Sequence, residues 1–129
     1  MEEQREEVEK YFFDTYALYA IATGEKSYKT FSKECEVTTS LMNLYELYYT
    51  LLKDNKEHLG EEFFDKLVGN CVNFDSDIIK KAAKFRREHI KKKLSYLDCL
   101  GYIIALENKI KFLTGDEGFR GMKNVEFVK

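Results

Sequence analysis

The chain has 129 residues, of which 44% are hydrophobic and 34% are charged, and its formal net charge is −2. This composition predicts one folded domain, and the balanced charge excludes a general electrostatic attraction to nucleic acid. No apolar run approaches the ~18 residues of a membrane-spanning helix, and the acidic first ten residues are unlike a signal or transit peptide. We therefore expect a cytoplasmic protein that does not span a membrane.

The cysteines and histidines show no pattern that is typical of metal binding. Cys35, Cys71 and Cys99 are widely spaced and lie among apolar residues, and no C-x-x-C pair occurs. His58 and His89 are far from each other and from the cysteines. Because a zinc site needs about four nitrogen or sulfur ligands, we interpret the cysteines as reduced, packed thiols.

The chain begins with an acidic segment in front of the first strand. Residues 1–10 contain five glutamates and no apolar pattern, so we interpret them as an N-terminal extension before a single domain at 11–129. The aromatic run at 11–13 predicts a buried strand that ends at Asp14. The alanine- and leucine-rich segment 15–23 predicts the first helix.

The middle of the chain repeats this alternation of strands and helices. The β-branched residues at 35–39 predict a second strand, and apolar residues at helical spacing predict helices at 44–52 and 59–68. A short apolar segment at 71–74 predicts a third strand. A long helix with an N-cap at Asp75 or Ser76 is predicted to continue to about Lys92.

This long helix has two different faces. Its predicted buried face consists of Ile79, Ala82, Ala83, Ile90 and the aliphatic part of Arg86. A second face is a basic stripe that consists of Lys80, Lys84, Arg87 and Lys91. Such a stripe is usually solvated surface, but it is also a candidate track for the phosphates of RNA.

The last third of the chain completes an α/β pattern. An apolar helix with Asp98 near its start precedes a strand at 111–114, then Asp116, and a last strand at 125–128. Strands that alternate with helices of ten or more residues predict a mostly parallel sheet with helices on both faces. Sites in such sheets form outside the carboxyl ends of the strands.

Four acidic residues lie where this fold would bring side chains to one edge of the sheet. Asp14 and Asp116 follow strands, and Glu46 and Asp98 lie in the first turns of helices that follow strands. Taken singly, each has an ordinary role. Asp14 and Asp116 would cap the next helix or turn, and Glu46 and Asp98 would close capping boxes.

Taken together, the four acids predict a metal site. Their mutual repulsion would cost about several kcal/mol at low effective dielectric unless a cation compensates it. Ligation by oxygen alone indicates Mg²⁺ or Mn²⁺. Such clusters cleave phosphodiester bonds, because one or two metal ions activate a water molecule and stabilise the leaving oxygen.

The motifs that contain these acids resemble those of the PIN domain family. They are a hydrophobic pair before Asp14-Thr15, then Asn43-x-x-Glu46, Ser95-x-x-Asp98-x-x-Gly101 and Leu113-Thr114-Gly115-Asp116-x-x-Phe119. The resemblance extends from about Tyr11 to Val128. It is to the small single-domain members, the VapC-type toxins of toxin–antitoxin pairs.

This resemblance implies a fold and a set of site residues. The fold would be a three-layer α/β/α arrangement around a mostly parallel five-stranded sheet in the order 3-2-1-4-5. The acids that would hold Mg²⁺ or Mn²⁺ and carry catalysis are Asp14, Glu46, Asp98 and Asp116. The residues with implied supporting roles are Thr15, Asn43, Thr114 and Glu117.

The resemblance also implies an endoribonuclease that cleaves RNA with a metal-activated water molecule. The family setting would be the toxin of a type II toxin–antitoxin pair, commonly a homodimer that an antitoxin inhibits. Two alternatives stay open: a catalytically silent PIN-like module that binds proteins, and a PIN nuclease of RNA processing. At position 16 the chain has tyrosine where many members have a smaller polar residue such as asparagine. We expect Tyr16 to narrow access to the site.

Overall fold

A computed structural model of the chain describes residues 9–129. Residues 1–8, which contain most of the predicted acidic extension, lie outside the described residues. The strands are β1 (Lys10–Phe13), β2 (Glu36–Thr38), β3 (Lys111–Thr114) and β4 (Val125–Phe127). The helices are α1 (Thr15–Ala22), α2 (Lys29–Glu34), α3 (Leu41–Lys53), α4 (Glu57–Leu67), α5 (Ser76–Glu88) and α6 (Tyr96–Glu107). No helix between residues 9 and 129 is both long and apolar enough to cross a membrane.

The four strands form one parallel sheet in the order β2-β1-β3-β4. Phe12 of β1 lies opposite Phe112 of β3, and Leu113 of β3 lies opposite Glu126 of β4. Parallel strands place all of their carboxyl ends at one edge of the sheet. Asp14 and Asp116 therefore lie next to each other along that edge, as the sequence predicts.

The third predicted strand, at 71–74, does not form as a strand, so the sheet within residues 9–129 has four strands and not five. Only one parallel bridge forms there, between Thr39 and Cys71, so the order is as predicted with its third strand reduced to a single pair. The preceding Asn70 donates its side-chain N–H to the carbonyl oxygen of Val37 at 2.8 Å. The Asn70 side chain thus donates the hydrogen bond to β2 that a backbone N–H would donate in a longer strand pair. The chain then continues into α5.

The sheet lies between two hydrophobic layers, which confirms the predicted three-layer α/β/α fold. Phe12 and Phe13 are both buried, and because successive strand residues point to opposite faces, they pack into different layers. The layer around Phe13 contains Leu18 of α1 and Leu44, Leu47 and Leu51 of α3. The layer around Phe12 contains Ala82 of α5, Phe119, and Cys99, Tyr102 and Ile104 of α6.

The predicted buried face of α5 is correct at Ala82 and in part at Arg86, which is half-buried. Ile79 is 54% exposed and Ile90 is 48% exposed, and the helix ends at Glu88 before a 3₁₀ turn at Ile90–Lys92. Ile78 and Phe85 pack into the core instead, and the Phe85 ring stacks on Tyr102 of α6 with 4.8 Å between centroids. The helix is therefore rotated relative to the predicted face, because its contact with α6 selects the row that contains Ile78, Ala82 and Phe85.

Candidate active site

All four predicted acids line a single pocket of about 480 Å³ at the carboxyl edge of the sheet. Asp14 follows β1, Asp116 follows β3, Glu46 lies in α3, and Asp98 lies in the first turn of α6. Thr15 and Tyr16 of α1 line the same pocket. The topology therefore brings together four carboxylates that are far apart in the sequence.

Asp14 is the most buried of these acids, with 3% of its surface exposed. One carboxylate oxygen accepts the N–H of Ala17 at 2.9 Å and so caps α1, and the other accepts the hydroxyl proton of Thr114 at 2.5 Å. Burial raises the pKa of Asp14 to about 8, and the negative charges of Asp98 and Asp116 contribute to the increase. The two hydrogen bonds oppose this shift, but desolvation of the carboxylate is the larger effect.

The hydroxyl of Thr114 connects the acids that follow the two neighbouring strands. It donates to Asp14 and accepts the backbone N–H of Asp116 at 3.0 Å. Asp116 in turn accepts the N–H of Gly118 at 2.9 Å, which fixes the turn after β3. Thr114 is fully buried. Its hydroxyl therefore acts inside the protein, whereas Thr15 lines the pocket.

Asp98 closes the capping box that the sequence predicts. Its carboxylate accepts the N–H of Ser95 at 2.8 Å, and its own N–H donates to the Ser95 hydroxyl at 3.0 Å. Burial raises the pKa of Asp98, and the charges of Asp116 and Glu46 add to this effect. Asp98 is therefore a cap and a pocket residue at the same time.

The turn that carries Asp98 is packed against the turn that carries Asp116. The Nε of Arg86 donates to the carbonyl oxygen of Leu94 at 3.1 Å and fixes the segment before α6. The buried Leu94 contacts Gly118 so closely that a Cβ there would lie 2.7 Å from its methyl carbon. The hydrophobic core thus sets the relative position of these two acids.

Glu46 differs from the other acids, because the capping box predicted for it is wrong. The N-cap of α3 is Ser40 and not Asn43, so Glu46 lies in the second turn of the helix. Its backbone carbonyl accepts from Thr50, but no hydrogen bond among residues 9–129 involves its carboxylate. Glu46 therefore has no capping role, and its half-buried carboxylate can adjust to a ligand.

Asn43 instead belongs to a buried hydrogen-bond network that the sequence pattern did not predict. Ser40 donates its hydroxyl proton to Oδ1 of Asn43 at 2.5 Å and accepts the Asn43 backbone N–H at 3.2 Å. The side-chain N–H of Asn43 then donates to the hydroxyl of Thr15 at 3.2 Å. The Ser40-x-x-Asn43 spacing is the signal for this cap. The network positions Thr15 beside Asp14.

Glu117 lies outside the pocket, in an exposed group of ion pairs. Arg120 donates to its two carboxylate oxygens at 2.7 and 3.0 Å, and the Nζ of Lys129 lies 3.0 Å from one of them. These partners lower the pKa of Glu117 to about 2. Its predicted supporting role therefore has no direct geometric basis, although Lys129 itself lines the pocket.

The basic stripe also lies apart from the pocket. Lys80, Lys84 and Arg87 are exposed on α5, and Lys91 is exposed in the 3₁₀ turn that follows it. None of the four lines the pocket that contains the acids. The structure thus leaves the stripe as a solvated surface that is separate from the carboxylates.

The chemistry of the pocket fits Mg²⁺ or Mn²⁺ better than zinc. Its lining has the four predicted carboxylates, a fifth from Glu25, and the Thr15 hydroxyl, but no cysteine or histidine. Between residues 9 and 129, no three acidic, histidine or cysteine side chains are close enough to form a ready-made metal site. Burial is the main cause of the raised pKa values of Asp14 and Asp98, and the charges of the neighbouring acids add a smaller repulsion that a divalent cation would relieve.

A family comparison matches residues 11–125 to the PIN domain. The chain belongs to the PIN domain family. A comparison with curated proteins gives no match. The predicted family and its fold are thereby confirmed.

Solved structures with this PIN fold include VapC toxins and toxin–antitoxin complexes. The chain is similar to VapC20 of Mycobacterium tuberculosis, described as a sarcin–ricin loop cleaving toxin, with TM-score 0.76, 16% identity, and coverage of 92% of this chain and 98% of that one. A toxin–antitoxin complex from Klebsiella pneumoniae gives TM-score 0.73, 22% identity, and coverage of 90% and 95%. VapBC2 of Rickettsia felis, bound to a DNA fragment from its promoter, gives TM-score 0.67, 21% identity, and coverage of 93% and 99%. At these identities the similarity establishes a common fold.

Proposed function

We propose that this PIN domain is a metal-dependent endoribonuclease and the toxin of a type II toxin–antitoxin pair. The observation that carries the proposal is the convergence of Asp14, Glu46, Asp98 and Asp116 on one pocket at the carboxyl edge of the sheet. Membership of the PIN domain family supports it, as do structural neighbours that are described as a sarcin–ricin loop cleaving toxin and as toxin–antitoxin complexes.

In this proposal the four carboxylates hold Mg²⁺ or Mn²⁺. When bound, the cation supplies Lewis acidity that lowers the pKa of a water molecule and stabilises the leaving oxygen. Backbone and hydroxyl donors hold the three aspartates, so they form the rigid part of the site. Glu46 has the freedom to complete the ligand set. The Thr15 hydroxyl, held by Asn43, is a candidate donor to a water or phosphate oxygen.

RNA would contact the domain over more than the pocket. The positive charges of the basic stripe would attract the phosphates of RNA. Because none of its residues lines the pocket, we assign the stripe to the affinity for RNA and not to bond cleavage. Exposed apolar side chains offer surface for the other partners of the proposal, an antitoxin and a second copy of the chain. These side chains are Leu41, Met42, Tyr45, Tyr49, Ile79 and Tyr96.

Metal-dependent RNA cleavage tests the proposal. Purified protein should cleave members of a panel of structured RNAs with Mn²⁺ and not with EDTA, and Asp116→Asn should cleave none of them. Asparagine retains the oxygen that accepts the Gly118 N–H, so the turn is preserved while the charge is lost. Equal cleavage by both proteins would assign the activity to a contaminant or to another site.

The alternative is a catalytically silent PIN module that binds a protein. The absence of a ready-made three-ligand cluster among residues 9–129 favours this alternative. A thermal denaturation series with increasing Mn²⁺ separates the two functions, because an intact site raises the melting temperature and a silent one does not. Asp98→Asn should abolish the increase if the acids bind the metal.

A further inference from the structure

Three tyrosines form an aromatic part of the pocket that has no role in metal binding. Tyr16 and Tyr19 of α1 and Tyr28 of the 3₁₀ turn Lys26–Tyr28 line it together with the four carboxylates. We propose that this part binds an unpaired base of the RNA and that the base stacks on the ring of Tyr16. The inference rests on the proposed nuclease function and names the form of the substrate at that site.

The position of Tyr16 is fixed by the turn that carries Asp116. A Cβ at Gly115 would overlap with the ring of Tyr16 and with the carbonyl oxygen of Val128. The ring therefore occupies the space that the missing side chain leaves at the end of β3. Tyr16 is also two residues after Asp14 in the sequence, and it lines the same pocket as Asp14 and Asp116.

Buried neighbours support the ring from behind. Tyr28 is buried, its ring centroid lies 6.2 Å from that of Tyr16, and its hydroxyl donates to the carbonyl oxygen of Val128 at 2.7 Å. Tyr16 itself remains 39% exposed. A large aromatic ring that is anchored on one side and exposed on the other provides a stacking surface at a small cost in conformational entropy.

The hydroxyl groups distinguish Tyr16 from the other two tyrosines. Tyr19 donates to Asp54 at 2.5 Å and Tyr28 donates to Val128, whereas no hydrogen bond among residues 9–129 involves the hydroxyl of Tyr16. The hydroxyl groups of Tyr19 and Tyr28 are therefore occupied by hydrogen bonds within the protein. Tyr16 is the member of the group whose ring and hydroxyl are left for a ligand.

The size and charge of the pocket favour a base over other parts of RNA. A volume of about 480 Å³ is within the range of pockets that bind small organic ligands. The carboxylates of the lining outnumber its one lysine, Lys129, which pairs with Glu117, so they repel phosphates that no metal ion compensates. Every base has an uncharged face that stacks on an aromatic ring. A base inside a duplex is already stacked on its neighbours, so the site should select unpaired nucleotides.

A tryptophan reporter tests this inference independently of catalysis. The chain has no tryptophan, so Tyr16→Trp introduces a single indole at the proposed stacking position. The variant is made in the Asp116→Asn background so that RNA is not cleaved, and it is titrated in Mg²⁺ with poly(U) and with the poly(A)·poly(U) duplex. We expect saturable quenching by poly(U) and much weaker quenching by the duplex.

The matched control is Tyr45→Trp in the same background. Tyr45 is 71% exposed on α3 and does not line the pocket, so poly(U) should leave its fluorescence nearly unchanged. Equal quenching of the two reporters, or none at position 16, would overturn the stacking assignment. Thermal denaturation confirms that each variant is folded before titration.

Cleavage kinetics provide the second arm of the test. Against an RNA that the wild type cleaves, Tyr16→Ala should lower kcat/KM by about 5- to 150-fold, the loss expected for one base–aromatic stack. Tyr16→Phe retains the ring and should lose less than about 3-fold. If folded Tyr16→Phe loses as much kcat/KM as Tyr16→Ala, the stacking proposal is wrong. It is also wrong if Tyr16→Ala cleaves the RNA as well as the wild type does. If the wild type cleaves no RNA, the nuclease proposal fails while the fluorescence result still decides whether Tyr16 binds a base.

Discussion

Asp14→Asn should remove most of the pH dependence of stability that arises at the centre of the pocket. Burial raises the pKa of Asp14 to about 8, so the folded protein retains a proton that the unfolded chain releases near pH 4. The folded state therefore binds more protons between about pH 4 and pH 8, and stability falls as the pH rises through this window. Asparagine has no proton to release and should remove this contribution.

The size of the effect follows from the shift of the pKa. Each tenfold change in an ionisation constant corresponds to about 1.4 kcal/mol, so a change from 3.8 to about 8 sets an upper limit of about 6 kcal/mol. Relaxation of the site and entry of water reduce this limit, and we expect a loss of about 2–4 kcal/mol between pH 5 and pH 8.5. Asp98 adds a smaller loss in the same direction, because burial also raises its pKa.

The substitution also changes one hydrogen bond. The amide oxygen of asparagine can still accept the N–H of Ala17 and cap α1. Its NH₂ group would replace the oxygen that accepts from Thr114, so the Thr114 hydroxyl would have to accept instead of donate. At pH 5, where Asp14 is protonated, this should make the variant slightly less stable than the wild type, by about 1 kcal/mol.

Urea denaturation in EDTA at pH 5 and pH 8.5 measures both effects. The wild type should lose stability at the higher pH, and Asp14→Asn should lose clearly less. Asp65→Asn, an exposed carboxylate of α4 outside the pocket, should follow the wild type. At pH 8.5, Mn²⁺ at about 100 times its Kd should stabilise the wild type by about 2.7 kcal/mol and Asp14→Asn much less. Identical pH profiles for the wild type and Asp14→Asn would refute the assignment of a buried, proton-binding carboxyl group.

Three further predictions concern the surroundings of the pocket. Gly115→Ala should lower the free energy of unfolding by about 1–3 kcal/mol, because its Cβ would overlap with Tyr16 and Val128. Tyr16→Ala in the same chain should restore only part of that loss in urea denaturation, since the Val128 backbone remains; full recovery would contradict the packing. Asn43→Ala should cost about 1–3 kcal/mol by leaving the buried Ser40 hydroxyl without its acceptor. It should also lower kcat more than it raises KM if Thr15 acts in the reaction, and an unchanged kcat would exclude that role. Replacing all four residues of the basic stripe by alanine should reduce the salt dependence of RNA binding, measured by fluorescence anisotropy, and leave kcat unchanged; the same salt slope would show that the stripe is only solvated surface.

The sequence predicts the arrangement of strands and acids because local patterns determine both. The aromatic run at 11–13 and the segment at 111–114 predict buried strands, and a parallel sheet then places Asp14 and Asp116 at one edge. The capping roles of Asp14, Asp98 and Asp116 are also local, since each acid accepts an N–H group two or three residues away. Short-range rules are sufficient for these features.

The errors occur where contacts between distant segments decide the outcome. The rotation of α5 depends on the stacking of Phe85 on Tyr102, which the spacing within the helix cannot specify. The strand at 71–74 is shortened to one bridge, because the side chain of Asn70 replaces a backbone partner of β2. The predicted start of α3 is too late, because Leu41 and Met42 lie outside the buried row of Leu44, Leu47 and Leu51 that defines the helical period.

The sequence leaves open whether each acid caps a helix or belongs to the metal site. In the structure, three of the acids are placed to do both. Asp14, Asp98 and Asp116 cap backbone N–H groups and line the acidic pocket at the same time. Alanine at any of these positions would therefore remove a cap worth about 1 kcal/mol together with the charge, and a loss of activity would have two explanations. Asparagine retains an oxygen acceptor at each cap and removes the charge, and at Asp14 it also changes the hydrogen bond with Thr114. Glu46 has no capping role, so Glu46→Ala and Glu46→Gln should be equally stable. A clear difference between their free energies of unfolding would show that the Glu46 side chain contributes to the stability of the fold.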